Sequence, residues 1–298
     1  MGEAKQTPQT PVEVMDTTLR DGEQMQDGSY APEEKLSIAR RLLEEVRVDR
    51  VEVANARVSR GEEQAVARIM EWASGRGFTE RVEVLGFVDR GASVAWLERL
   101  GVRVLNVLAK GSRRHVEKQL RKSLEEHLRD IAALVQEAAS RGIRCNIYLE
   151  DWSGGMLESP EYVREMIAGL QGLGVDRCML ADTRGLLEPR QVSQMVGALV
   201  AEFPTVHFDF HAHNDYGLAT ANSLAAVSAG ARGVHCTVNG LGERAGNAPL
   251  DEVVVGIHDF LGRRTRVEEK QLQRIAEHVE IFSGRRLACN KPIAGLNV

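Results

Sequence analysis

An alternation restricts this chain more than any other feature. Eight short runs with strand-like patterning are each followed by a longer segment whose apolar residues recur at helical spacing. The strand-like runs are residues 12–16, 50–54, 81–88, 102–108, 144–150, 177–181, 206–210 and 233–238. The helix-like segments are residues 32–45, 62–74, 92–100, 123–141, 160–173, 189–202, 218–229 and 249–261. Strict strand–helix alternation implies a parallel sheet. Eight units within 298 residues fit a closed (β/α)8 barrel, the TIM-barrel architecture. A doubly wound open sheet is the rival, but such sheets more often have fewer strands, and no G-x-G-x-x-G follows the first run.

The chain then divides into a polar tail expected to be disordered (residues 1–11), a barrel (12–265), and a short C-terminal helical extension (266–298). That extension reads as the start of a linker region cut short. Hydrophobic residues make up 43% of the chain, enough for one large core, and the net charge of −5 gives no support for nucleic-acid or membrane-surface binding. No apolar run approaches the roughly 20 residues needed to span a bilayer, and the first residues lack the apolar centre of a secretion signal. Cys145, Cys178, Cys236 and Cys289 are widely spaced, and three fall in expected strands. They read as reduced, buried thiols of a cytoplasmic protein.

A barrel of this kind works at the C-terminal ends of its strands, so those positions are where function should be sought. They deliver Arg20 and Asp21, Leu85 and Phe87, Leu108, Tyr148 and Glu150, Asp182 and Thr183, His211 and His213, and Asn239 with a glycine-rich loop to Asn247. Side chains two apart on a strand share a face, so His211 and His213 point the same way. With Asp21, and with Asn247 at the same rim, they form a candidate site for zinc, manganese or another divalent ion with open coordination positions. Arg20 is suited to holding a carboxylate or enolate oxygen, or else pairs with an acid such as Glu23. Glu150 is either a base for carbon-acid chemistry or an ordinary rim carboxylate. His115, His127, His258 and His278 fall on expected helices or loops and read as solvent-facing. The basic stretch 110–122 reads as a solvated face that could also attract the phosphates of a nucleotide-like cofactor.

Three motifs carry a family resemblance: Asp16-Thr-Thr-Leu-Arg-Asp-Gly-Glu-Gln24, His211-Ala-His-Asn-Asp215 and Asn239-Gly-Leu-Gly-Glu-Arg-Ala-Gly-Asn247. In this order they resemble the metal-dependent isopropylmalate, homocitrate and citramalate synthases and hydroxymethylglutaryl-CoA lyase. The resemblance implies a divalent metal (zinc, manganese or magnesium) on Asp21, His211 and His213, with Asn247 at or near it. It implies Arg20 and Thr183 on a 2-keto acid, and Glu150 removing a proton from the methyl group of acetyl-CoA, the co-substrate. Leu85, Leu108 and Tyr148 stand where citramalate synthases line the pocket for pyruvate. Bulky apolar walls there fit a methyl group and crowd the isopropyl group of 2-ketoisovalerate, the substrate of the isopropylmalate synthase alternative. The lyases carry a catalytic cysteine in the glycine-rich loop, and residues 240–247 contain none. Family synthases continue beyond the Asn290-Lys-Pro-Ile-Ala-Gly295 stretch, so a barrel that binds metal and keto acid without turnover is a further alternative. The family pattern also implies a homodimer.

Overall fold

The computed structural model describes residues 10–26 and 28–297. The expected disordered tail therefore lies, but for Thr10 and Pro11, outside the described residues. Eight strands follow in chain order: β1 Glu13–Asp16, β2 Arg50–Asn55, β3 Val82–Phe87, β4 Val104–Lys110, β5 Arg144–Glu150, β6 Arg177–Asp182, β7 Phe208–Ala212 and β8 Gly233–Cys236. Each pairs in parallel with the next, and β1 also pairs with β8, Asp16 lying opposite Cys236. The sheet has no edge, which makes it a closed (β/α)8 barrel and excludes the doubly wound alternative.

The strands are buried on both faces, but the two faces differ in chemistry. One alternate set, including Val51, Val53, Val82, Val84, Ile147, Leu149, Leu180 and Phe210, joins the helices in a single apolar shell. The opposite set fills the lumen and is largely polar. Arg50, Glu52, Glu83, Asn106, Asn146, Asp209 and His235 are all buried there. Arg50 Nη2 lies 2.5 Å from Asp209 Oδ2, and its Nη1 lies 3.4 Å from the Glu83 carboxylate. Asn106 Nδ2 donates to Glu52 Oε1 at 2.7 Å and to Glu83 Oε2 at 2.9 Å, and Asn146 Nδ2 donates to Asn106 Oδ1 at 2.8 Å. Such charges are tolerated out of water only because each meets an opposite charge or a hydrogen-bond partner. Two residues further along their strands, Leu85, Leu108 and Tyr148 join Met15, Met179 and Ala181 in an apolar layer under the C-terminal rim.

The helices begin where local chemistry favours them. Ser59 Oγ accepts from Glu62 N at 3.1 Å ahead of Arg60–Ser74. Ser123 and Glu126 exchange bonds at the start of Leu124–Ser140. Pro32, Pro160 and Pro189 each occupy a first turn, where no N–H is missed. One helix, Trp152–Glu158, was not expected, because Gly154 and Gly155 lower its intrinsic propensity. Close packing explains Gly155: a Cβ there would come within 2.7 Å of the Gly111 carbonyl. The expected terminal extension is present as helix Leu272–Ser283, which packs on helix Pro32–Arg40.

Three of the four histidines read as solvent-facing need correction. His127 is buried, and its Nε2 accepts from Lys110 N at 3.2 Å. His115 and His278 are half-buried, and His258 alone of the four is exposed. Cys145, Cys178 and Cys236 are buried in their strands, Cys289 is exposed, and all four are free. Among the described residues no helix is long and apolar enough to cross a membrane. Arg50→Met should strand Asp209 and Glu83 as unpaired buried carboxylates. We expect a loss of roughly 3–5 kcal/mol in urea denaturation, without a change in the barrel's circular-dichroism signature.

Candidate functional site

The loop after β1 turns tightly, with the backbone N–H groups of Arg20, Asp21 and Gly22 all donating to the Thr17 carbonyl at 2.8–3.1 Å. This turn aims the Asp21 carboxylate across the barrel mouth at the end of β7. Asp21 Oδ2 lies 3.1 Å from His211 Nε2 and 3.5 Å from His213 Nε2, and the two ring nitrogens are 3.4 Å apart. One donor atom from each residue falls within 4.8 Å of the others, and all three residues are buried. His213 Nδ1 lies 2.5 Å from the Thr183 carbonyl. The carbonyl calls for a proton on Nδ1, whereas Arg244 Nη2, 3.0 Å from the same nitrogen, can only donate, so the two neighbours favour opposite tautomers of His213.

Electrostatics favour the ionised form of Asp21 that a cation needs. Burial alone would raise the Asp21 carboxyl, but the Arg20 guanidinium and the two imidazoles hold it well below the usual carboxylate range. Burial lowers His211, with Asp21 offsetting only part of the effect. At His213 the same burial penalty is outweighed by Asp21 and the Thr183 carbonyl, so it is raised. Asp21 Oδ2 and His211 Nδ1 are buried without a satisfying hydrogen-bond partner. A buried carboxylate oxygen facing two imidazole nitrogens, with the Arg20 guanidinium 3.3 Å to one side, fits a divalent cation.

Asn247 is carried alongside this cluster by the histidine segment. It forms an isolated bridge with His213, and Asn214 N donates to the Gly246 carbonyl at 2.8 Å, stapling the glycine-rich loop to the histidine segment. The loop folds so tightly that a Cβ on Gly246 would sit 2.0 Å from the Gly240 carbonyl. Asn247 Nδ2 donates to Leu241 O at 3.0 Å, which leaves its buried Oδ1 without a partner. It does not line the cavity described next.

A cavity of about 430 Å³ opens over the cluster. Its walls bring together the other expected residues: Arg20, Asp21, His211 and His213, then Leu85, Leu108 and Tyr148, and finally Glu150 and Thr183. Arg20 does not pair with Glu23. Its Nε lies 2.5 Å from Glu52 Oε2 and its Nη1 lies 3.3 Å from Asp21 Oδ2, while Glu23 goes to Lys35 at 2.6 Å. Thr183 Oγ1 accepts from Asp151 N at 2.8 Å, so its own proton is free to donate into the cavity. Lys110, read from sequence as part of a solvated basic loop, ends β4 and forms an ion pair with Glu150. Asp182 turns away from the site to accept from Leu186 N at 2.9 Å and Leu187 N at 3.2 Å. A larger cavity, about 1020 Å³, opens at the opposite end of the barrel. Most of its guanidiniums are already engaged, Arg144 with Glu80, Arg177 with Glu13 and Arg266 with Asp49. That end reads as ionic closure of the barrel.

Three residues that position the site escaped the sequence reading. Lys35 is buried and ties the loop after β1 to the neighbouring elements: its Nζ donates to the Leu19 carbonyl at 3.0 Å and pairs with Glu23 and Glu62. Glu52 holds Arg20 from β2. His235 lies behind Tyr148, where burial pushes its pKa down to about 3 despite Asp209 beside it. Arg20, Glu52 and Tyr148 thus belong to the same lattice that fills the lumen.

Fold and geometry together define a class: a (β/α)8 barrel with one carboxylate and two imidazoles converging at its C-terminal mouth. Residues 11–279 match the HMGL-like family model, and the chain belongs to that family. Its curated relatives include a Methanopyrus kandleri chain assigned as an (R)-citramalate synthase, 37% identical over 294 residues, which cover 97% of this chain and 55% of that one. A homocitrate synthase of the same organism is 36% identical over 95% of this chain and 69% of its own length. The 2-isopropylmalate synthase 2 of Caldanaerobacter subterraneus is 34% identical over 97% and 72%. The chain therefore spans little more than half of the first relative and about seven-tenths of the other two. Among solved structures, hydroxymethylglutaryl-CoA lyase from Pseudomonas aeruginosa superposes with a TM-score of 0.79 at 20% identity, covering 95% of this chain and 96% of that one. The carboxyl transferase domain of Rhizobium etli pyruvate carboxylase gives 0.73 at 18%, covering 91% and 47%. At those identities the likeness is one of fold.

Replacing Asp21 by alanine should abolish stoichiometric binding of Mn²⁺ or Zn²⁺, measured by equilibrium dialysis with elemental analysis. Full metal stoichiometry in Asp21→Ala would remove it from the cluster.

Proposed function

We propose that this chain is the catalytic barrel of an enzyme condensing acetyl-CoA with a small 2-keto acid, and that the keto acid is pyruvate, giving (R)-citramalate. One observation carries the reading. The Asp21–His211–His213 cluster opens onto a cavity that also holds the Arg20 guanidinium and the Glu150 carboxylate, with Leu85, Leu108 and the Tyr148 ring forming an apolar stretch of its wall. Synthases of this chemistry recur among the relatives at 33–37% identity over nearly the whole chain, which supports the reaction class without selecting the keto acid.

In this reading Asp21, His211 and His213 hold a divalent cation, with Asn247 Oδ1 as a further ligand. When bound, the cation supplies Lewis acidity toward the keto and carboxylate oxygens. Arg20 is held on two sides by Glu52 and Asp21, so its fork stays fixed to pair with the substrate carboxylate. Thr183 donates its free hydroxyl proton to the same substrate. Glu150, which pairs with Lys110, takes a proton from the acetyl methyl group. The methyl carbon then bonds to the keto carbon, and the keto oxygen gains a proton to become the tertiary hydroxyl. Water cleaves the thioester, leaving a carboxylate and the CoA thiol. Leu85, Leu108 and Tyr148 surround the substrate's side chain and favour a methyl group over an isopropyl group. Discrimination on that scale is worth about 1–3 kcal/mol. A homodimer working in the cytoplasm belongs to the same reading.

The test is CoA thiol release with added metal, comparing pyruvate with 2-ketoisovalerate. We expect faster release with pyruvate. A preference for 2-ketoisovalerate would make this a 2-isopropylmalate synthase. Binding of keto acid with no release from either would favour a barrel without turnover, and breakdown of an acyl-CoA without a keto acid would favour a lyase. Glu150→Gln should retain keto-acid affinity within a few-fold while abolishing deuterium exchange at the acetyl methyl group. Exchange at the wild-type rate would dismiss Glu150 as the base.

A further inference from the structure

Tyr148 leaves β5, and its hydroxyl reaches His235 Nδ1 on β8 at 2.9 Å. These strands are not neighbours in the barrel, so the phenol crosses the lumen. On the way it meets His211 and His235 edge-on, with ring centroids 5.9 and 5.3 Å away. Tyr148 lines the cavity over the metal-ligand cluster, whereas His235 does not. Both are buried.

The protons on this contact can be assigned. Asp209 Oδ2 lies 2.5 Å from Arg50 Nη2 and 3.2 Å from His235 Nε2. An ionised carboxylate only accepts, so Nε2 of the neutral ring carries the proton and Nδ1 is left with a lone pair. The phenol therefore donates to Nδ1. Its oxygen accepts in turn from Arg20 Nη2 at 3.4 Å. The hydroxyl is committed below the cavity on both counts, and what remains to face a substrate is ring carbon.

We propose that His235, braced by Asp209, is a positioning residue for substrate selection: it pins Tyr148 as a strut across the lumen and so sets the depth and polarity of the side-chain pocket. This inference rests on the keto-acid reading given above. With the anchor in place, the space between Leu85, Leu108 and Tyr148 is shallow and apolar. Without it, the phenol is free to rotate, and the pocket floor yields to a larger side chain. A wall that discriminates by one methylene is worth about 10- to 200-fold, and that range is what loss of the strut should erode.

The experiment measures dissociation constants for pyruvate and 2-ketoisovalerate by calorimetry in the presence of Mn²⁺, so it needs no turnover. His235→Leu removes the acceptor, and Tyr148→Phe removes the donor while leaving His235 on Asp209. Should His235→Leu fail to fold, Tyr148→Phe carries the test alone. We expect either change to reduce the preference for pyruvate about tenfold, and the double variant to reduce it no further. His235→Asn, which keeps an acceptor at the δ position, should retain most of the preference. A wild-type ratio in Tyr148→Phe, or additive losses in the double variant, would overturn the strut. Binding of both keto acids by the wild-type chain without CoA release would count against the condensation reading alone.

Discussion

The structure turns on the pairing of charges that cannot reach water. Arg50 with Asp209 and Glu83, and Arg20 with Glu52 and Asp21, sit in the lumen of a closed sheet. Removing such groups from solvent costs several kcal/mol per ion, and only close, well-directed partners recover it. An apolar lumen would pack more simply. The polar one gives its buried side chains defined partners, and Arg20 and Tyr148 are members of that lattice that reach the cavity. The Arg20 guanidinium is held by Glu52 and Asp21, which is the preorganisation that the proposed carboxylate contact needs.

The rim is held in the same spirit by contacts that fix loops rather than fill space. Lys35 fastens the loop after β1 from below. The glycine-rich loop is stapled to the histidine segment by the Asn214–Gly246 and His213–Asn247 contacts. Asp151 adopts a left-handed backbone (φ 59°) between Glu150 and the unexpected helix Trp152–Glu158, and its N–H sets the direction of the Thr183 hydroxyl. Each device fixes a loop that carries a residue of the proposed site.

Much of this was legible in the chain. The alternation of periods named the barrel, and the spacing of His211 and His213 placed both rings on one face. The residues missed left signals in their spacing. Val51-Glu52-Val53 and Val82-Glu83-Val84 alternate as strands should, with an acid on the face that a barrel turns inward. Lys35 stands at helical spacing with Ile38, Ala39 and Leu42, and His127 with Ile131 and Leu134, so each belonged to the buried stripe of its helix. Polarity had been allowed to outweigh position. Trp152–Glu158 left no comparable signal, since Gly154 and Gly155 lower its propensity and it is held by burial of Trp152 and Met156 in the core.

By itself the sequence determined the architecture, the end of the barrel where chemistry gathers, and the residue types available there. Those follow from periodicity and chain order, which are local properties. Only the tertiary structure decided which charges meet. Asp21 and His211 are far apart in the chain, as are Tyr148 and His235, and their distances depend on closure of the sheet and on its register. A one-residue slip in any strand would have turned its inward set to the outer shell, leaving the same residues in the chain but no lattice in the lumen and no cluster at the mouth.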